Sequence, residues 1–169
     1  MRFWKRFILL LAVLTFASLH VLSQNAPRTT AQSVRGHFAS INQRLLTMAK
    51  DFPEDKYDFK PKPEMRTFGA VLVHVASGNV YAAKAGRGEK VNWDELDPKD
   101  YSTKAAVVAL MEKSSADAEA TLKSVTDPAL SKAVEPWLSV IEHSAEHYGL
   151  LVAYYRANGL VPPESRPKK

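Results

Sequence analysis

The sequence contains no cysteine. This absence excludes disulfide bonds, thiolate metal ligands and a cysteine nucleophile, but it does not identify a compartment, because an exported protein need not contain disulfides. The chain also lacks internal repeats, low-complexity tracts and the alternation of apolar and polar residues that is typical of a half-buried strand. A length of 169 residues with 46% hydrophobic and 24% charged residues is typical of one ordinary globular domain.

The chain has little net charge apart from its two ends. The formal charge of +5 includes the basic N-terminal residues Arg2, Lys5 and Arg6, so the remainder carries +5 − 3 = +2. The last seven residues, PESRPKK, contribute three further basic residues against one acid. A protein that binds nucleic acid would be expected to keep a basic stripe on its folded part. We therefore expect no nucleic-acid partner.

One long apolar run occurs, FILLLAVLTFA at residues 7–17, and it follows the short basic stretch. A basic stretch, an apolar run and a more polar ending predict a secretory signal peptide at residues 1–23. The run is shorter than the about 20 apolar residues of a membrane span. We expect an exported protein, periplasmic or extracellular, with no membrane contact after signal cleavage. An uncleaved signal anchor is the alternative, and it also places the body outside the cytoplasm.

The rest of the chain divides into a lead-in, a folded domain and a tail. Residues 24–33 are polar and predict a flexible lead-in, residues 34–163 carry the helical patterns, and residues 164–169 form a basic tail. Apolar residues recur at three- and four-residue steps, which predicts helices over residues 33–50, 68–85, 102–125 and 136–158. Ser33 and Thr67 are the expected N-caps of the first two helices. Four helices with long connections predict an all-α four-helix bundle in which crossovers are permitted.

Three histidines are candidates for a metal site. His143 and His147 lie four residues apart in the fourth helix and share its apolar face. His74 lies in a second helix that is apolar on nearly every side. Imidazole is the commonest metal ligand in proteins, and three nitrogen ligands would leave one or more coordination positions for water or a substrate. The pattern therefore predicts a metal centre at His74, His143 and His147.

Two other interpretations of these histidines stay open. They could form a hydrogen-bonded cluster in the core, or the face of the fourth helix could be exposed. The letters HSAEH at 143–147 also match H-x-x-E-H, the inverted zinc-protease signature, in which Glu146 would act as general base. That signature needs a further acidic ligand from downstream, where only Glu164 remains. Glu142 and Glu146 are instead expected at the solvent side or as carboxylates that accept from a histidine ring.

Three stretches together resemble the DinB/YfiT-like superfamily of metal-dependent four-helix bundles. They are TFGAVLVHVASGN around His74, the helix-four run HSAEHYGLLVAYYRANGLVPP, and the connection FPEDKYDFKPKPEMRTFG. The resemblance covers nearly all of the chain after the signal. It implies an up-down-down-up bundle and a divalent metal, nickel or zinc, held by His74, His143 and His147. The sequence departs from the family pattern at Leu150, where a glutamine often follows the helix-four glycine.

The resemblance implies a metal-dependent hydrolase or transferase that acts on an unknown small molecule. Some relatives use small thiols, which are less available outside the cytoplasm. A non-enzymatic metal-binding or interaction bundle, including a homodimer through an apolar helix face, is the alternative. Tyr81 and Tyr154 are pocket candidates, and no catalytic residue is assigned.

Overall fold

The computed structural model describes residues 28–167, and all regular structure within that range is helical. The predicted signal peptide, residues 24–27 of the lead-in and the last two residues lie outside the described range. Four of the five helices are long, which confirms the all-α class. No helix within residues 28–167 is long and apolar enough to cross a membrane. The helices are α1 (Thr30–Asp51), α2 (Phe68–Gly86), α3 (Lys104–Ser124), α4 (Asp127–Lys132) and α5 (Glu135–Ala157).

The first helix begins three residues before the predicted start, so residues 30–33 of the expected lead-in are helical. Its N-cap is Thr29 rather than Ser33. The Thr29 side chain accepts a hydrogen bond from the Gln32 backbone N–H at 3.2 Å, and the Gln32 side chain accepts one from the Thr29 N–H at 2.9 Å. This reciprocal capping box satisfies two of the backbone donors that a helix start leaves free. The predicted N-cap of α2, Thr67, is confirmed.

The C-terminal part of the chain follows the predicted breaks. The short helix α4 occupies the break expected between the third and fourth helices, and α5 ends at Ala157 with Asn158 as its C-cap. Gly159 follows with φ +70°, a left-handed conformation that suits glycine. The predicted basic tail is partly attached to the body, because Arg166 donates to both carboxylate oxygens of Asp51 at 2.7 and 2.6 Å.

Two apolar clusters fix the direction of each long helix. The lower cluster contains the beginnings of α1 and α5 and the ends of α2 and α3; its members include Val34, Phe38, Ala82, Leu122 and Trp137. The upper cluster contains the end of α1, the beginnings of α2 and α3 and the end of α5; its members include Phe52, Phe68, Val107 and Tyr155. The helices therefore run up, down, down and up, as the family resemblance implied.

Because α2 and α3 are parallel, the chain must return along the bundle between them. Residues 87–103 make this return, and we call them the crossover. A 21-residue helix such as α3 is about 30 Å long, which the crossover can span in a largely extended form. The backbone N–H of Leu96 donates to Ser77 Oγ at 3.0 Å and so attaches the crossover to the side of α2.

A polar pair lies at the level between the two apolar clusters. The diagonal helices α1 and α2 touch little, since each packs mainly on α3 and α5. Asn79 on α2 nevertheless donates from Nδ2 to Asn42 Oδ1 on α1 at 2.7 Å, and Asn42 donates to the carbonyl of Phe38 at 3.1 Å. Both asparagines are buried. The pair therefore links the two diagonal helices across the middle of the core.

Candidate metal centre

Helices α2 and α5 bring the three predicted histidines together. The ring centroids of His74 lie 4.7 Å from His143 and 4.8 Å from His147, and those of His143 and His147 are 4.5 Å apart. The Nε2 atoms of His74 and His143 are 2.9 Å apart. One ring nitrogen from each residue falls within 4.8 Å of the others, so the group could hold a metal ion. His37 lies apart from this group, on the exposed side of α1.

Gly78 allows this approach of α5 to α2. A Cβ atom at position 78 would lie 3.2 Å from both Nδ1 of His143 and Cγ2 of Val140. A Cβ atom at these distances would require His143 and Val140 to move. The space that glycine leaves is therefore taken up by close helix packing and by the His143 ring itself.

The environment of His143 and His147 favours the neutral form of both rings. Burial, together with the nearby His147 and His74, lowers the pKa of His143 to about 4. Burial and the proximity of His74 also lower the pKa of His147. The side chain of His74 is only 13% exposed. Neutral imidazoles keep a lone pair for a cation, so at neutral pH neither His143 nor His147 has to lose a proton before it binds a metal.

The donor set fits a divalent metal ion. The Nδ1 atoms of His143 and His147 are buried and have no hydrogen-bond partner, and the Nε2 atoms of His74 and His143 face each other at 2.9 Å. Each buried polar group without a partner costs about 1–3 kcal/mol, so a core built only for stability would not collect such rings. Three imidazole nitrogens with free lone pairs are a donor set that suits zinc or nickel.

Glu95 on the crossover is the carboxylate that approaches the histidines. Its Oε1 lies 3.0 Å from His74 Nδ1. Arg66 Nη2 donates to both carboxylate oxygens, at 3.0 and 3.1 Å, and holds the group in place. The sequence analysis missed Glu95 and considered Glu142 and Glu146 instead, which are exposed on α5. A carboxylate in an irregular connection carries no periodic signal that would place it.

The protease-like interpretation of HSAEH finds no support in this arrangement. Glu146 is exposed, and so is Glu164, which lies in the short 3₁₀ turn after α5. Within residues 28–167, the group of potential ligands around the histidines contains no acidic residue. The downstream acidic ligand that this signature requires is therefore missing from the described part of the chain.

A cavity of about 640 Å³ adjoins the histidines and is partly covered by the crossover. The Trp93 ring lies over the site, with centroids 5.3 Å from His143 and 5.7 Å from His74. The residues that line the cavity are His74, Tyr81, Val91, Asn92, Trp93, Ser139, Val140 and His143. A small molecule in this cavity would therefore lie beside two of the three candidate ligands.

The two tyrosines named from the sequence occupy different places. Tyr81 lines the cavity, and its ring centroid is 5.8 Å from that of Trp93. Tyr154 is fully buried in the upper cluster and does not line this cavity. Its hydroxyl donates to the carbonyl of Arg66 at 2.6 Å, so it fixes the backbone of the residue that holds Glu95.

The sequence profile of the DinB superfamily matches residues 37–154, which is more than half of the chain. The chain belongs to the DinB superfamily. The matched range contains all three histidines, the crossover, the whole of α2 and residues 135–154 of α5. A search of curated proteins found no match.

Proposed function

We propose that this DinB-superfamily protein is exported and binds one divalent metal ion through His74, His143 and His147. The observation that carries the proposal is the convergence of three ring nitrogens within 4.8 Å of one another beside a cavity. Three nitrogen ligands leave at least one coordination position free. That position would accept water or a group of a small molecule in the cavity.

The residues around the histidines have separable roles in this proposal. Glu95 contacts the ring nitrogen of His74 that would point away from the metal, and such a contact fixes ring orientation. Trp93 limits the access of water on the crossover side, and it is 47% exposed. A bound zinc or nickel ion would polarise a carbonyl group or lower the pKa of a bound water molecule. These features support a metal-dependent hydrolase or transferase.

One observation favours the alternative, a metal-binding bundle without catalysis. Apart from the histidines and Tyr81, no lining residue of the cavity within the described range carries a titratable side chain. A reaction at the metal would then depend on metal-bound water for its proton transfers. Turnover of an ester, amide or thiol panel by the metal-loaded protein would decide between the two, and complete inactivity would favour the alternative.

Export is proposed from the sequence alone. The signal-like pattern of residues 1–23 supports it, and zinc or nickel would then be acquired outside the cytoplasm. The metal proposal itself does not depend on the compartment.

Metal content and thermal stability test the metal proposal directly. We expect the untagged, chelator-free protein to bind about one zinc or nickel ion per chain. His74→Ala should lose this ion, whereas the control His37→Ala should keep it, because His37 is exposed on α1. A ligand that binds only the folded state raises its stability, by about 2.7 kcal/mol at 100 times the Kd. Chelator should therefore lower the Tm of the wild type and leave that of His74→Ala unchanged. Equal metal content in His74→Ala and the wild type would contradict the proposal.

A further inference from the structure

The cavity beside the histidines has walls that are apolar and aromatic. Trp93 and Tyr81 form one wall, with ring planes inclined at 50° to each other. Val91 and Val140 add aliphatic surface, while Asn92 and Ser139 are neutral polar groups. A flat ring that lies against Trp93 would also be within reach of both His143 and His74, because these two rings pack against the same indole.

The second feature of the cavity is the charge of the side chains that line it. Among the described residues that line the cavity there is no aspartate, glutamate, lysine or arginine. The charged side chains of the same region, Lys84, Glu89, Lys90 and Asp94, line an adjoining depression of about 380 Å³, which shares Val91, Asn92 and Trp93 with the cavity. A charged group buried without a partner is strongly disfavoured. A ligand whose body carries charge would therefore find no partner in the lining of this cavity and would gain less there than an uncharged ligand.

The size of the cavity also selects among ligands. A volume of about 640 Å³ far exceeds that of a water molecule or an acetate ion. It lies within the range of about 300–1,000 Å³ that is typical of sites for small organic molecules. Aromatic rings gain additional attraction from offset or edge-to-face packing on tryptophan and tyrosine, beyond the burial of their apolar area.

We propose that the ligand of this site is a small molecule with an uncharged aromatic body and a single metal-binding group. The body packs against Trp93 and Tyr81, and the metal-binding group reaches the ion held by the histidines. This inference rests on the proposed metal site and adds the class of molecule that the site accepts. Small peptide-like thiols, whose bodies carry amino and carboxylate groups, would find no counter-charge in the lining.

Three hydroxamic acids test the inference, because they share one zinc-binding group and differ only in their bodies. The full chain, loaded with zinc, is titrated with benzohydroxamic, acetohydroxamic and 4-carboxybenzohydroxamic acid by calorimetry. We expect benzohydroxamic acid to bind roughly tenfold more tightly than acetohydroxamic acid, since a phenyl ring becomes buried. The added carboxylate should remove at least this advantage.

Two variants test whether the preference for the phenyl body arises at Trp93. Trp93→Ala should reduce the ratio between the affinities for benzohydroxamic and acetohydroxamic acid to about one. Leu138→Ala is the matched control, since Leu138 is another exposed apolar residue, 46% exposed on α5, and it does not line the cavity. It should leave the ratio unchanged.

The outcomes separate this inference from the proposed function. Zinc binding without preference for the phenyl body, or with preference for the carboxylate, overturns the ligand inference and leaves the metal site standing. A preference that survives Trp93→Ala also overturns it, because the body would then bind elsewhere. Absence of zinc binding overturns the proposed function, and the ligand inference with it.

Discussion

Glu95 differs from the other acidic residues near the site because its carboxylate contacts the ring of His74. It touches His74 Nδ1 at 3.0 Å and is held by Arg66, whose own carbonyl accepts from Tyr154. A carboxylate on the outer nitrogen of a metal-binding histidine fixes the ring and raises its basicity. In the proposed metal site, Glu95 would act on the metal through His74, as a positioning residue.

Glu95→Gln should therefore weaken zinc binding without abolishing it. The amide keeps the size of the side chain but removes its negative charge, and loss of such a partner typically costs about 10–100-fold in metal affinity. Competition with a chromogenic chelator would measure the effect. The matched control is Asp94→Asn, which removes the same charge from the neighbouring exposed residue and should change the affinity little. Equal losses in both variants would mean that only net charge near the site matters.

The histidines and Glu95 show what the sequence could predict at this scale. Spacing put His143 and His147 on one helix face, and the apolar surroundings of His74 marked it as unusual, so the whole histidine group was predicted. Glu95 and Trp93 lie in an irregular connection, where no periodicity relates position in sequence to position in space. The position of Trp93 beside His74 and His143 therefore had no signal in the sequence.

At the scale of elements, two helical glycines differ in the space around them: one faces a neighbouring helix closely, and the other faces open space. Gly78 on α2 faces α5, and a Cβ there would be 3.2 Å from His143 and Val140, whereas Gly149 on α5 has nothing within 4 Å. Replacing glycine by alanine inside a helix favours the helix by up to about 1 kcal/mol where nothing obstructs the methyl group. The same substitution should thus have different effects at the two positions.

We expect Gly149→Ala to raise the free energy of unfolding of the metal-free protein by up to about 1 kcal/mol. Gly78→Ala should instead lower it by about 1 kcal/mol or more, because overpacking between α2 and α5 outweighs the gain in helix propensity. It should also weaken zinc binding, since the methyl group displaces the His143 ring. Urea denaturation and zinc titration would measure the two effects. Equal stabilisation by both substitutions would show that α5 can move away from α2 without cost.

The helices themselves were predicted from sequence with small errors at their ends. Thr67 was correctly expected as an N-cap, but the capping box Thr29–Gln32 was overlooked in favour of Ser33. The tail was expected to be separate from the fold. It is partly attached because Arg166 meets Asp51, a long-range pair that leaves no local signal.

At the scale of the whole molecule, the buried pair Asn42–Asn79 joins helices that otherwise touch little. Asn79→Ala should cost about 1–3 kcal/mol, because it leaves Asn42 Oδ1 buried without a donor. Asn42→Ala should cost a similar amount for the corresponding reason. The double variant should cost less than the sum of the two, with a coupling of about 0.5–3 kcal/mol by urea denaturation. Additive losses would indicate that the pair contributes through packing alone.

Local sequence patterns alone could not predict the direction in which each helix runs. Connection lengths permitted a crossover but did not choose one, and the family resemblance provided the up-down-down-up order. In the structure, the beginnings of α2 and α3 both lie in the upper cluster and their ends in the lower cluster, so both helices run down.

The crossover has a consequence for how such a protein could acquire new ligands. The helices hold the three histidines, whereas the crossover supplies both Trp93, which covers the cavity, and Glu95, which contacts His74. If both proposals hold, one contiguous stretch, which is attached to α2 through Leu96, would contribute both to the choice of ligand and to the properties of the metal. Exchange of that stretch between bundles of the same topology would transfer both contributions together, while the helices stay unchanged.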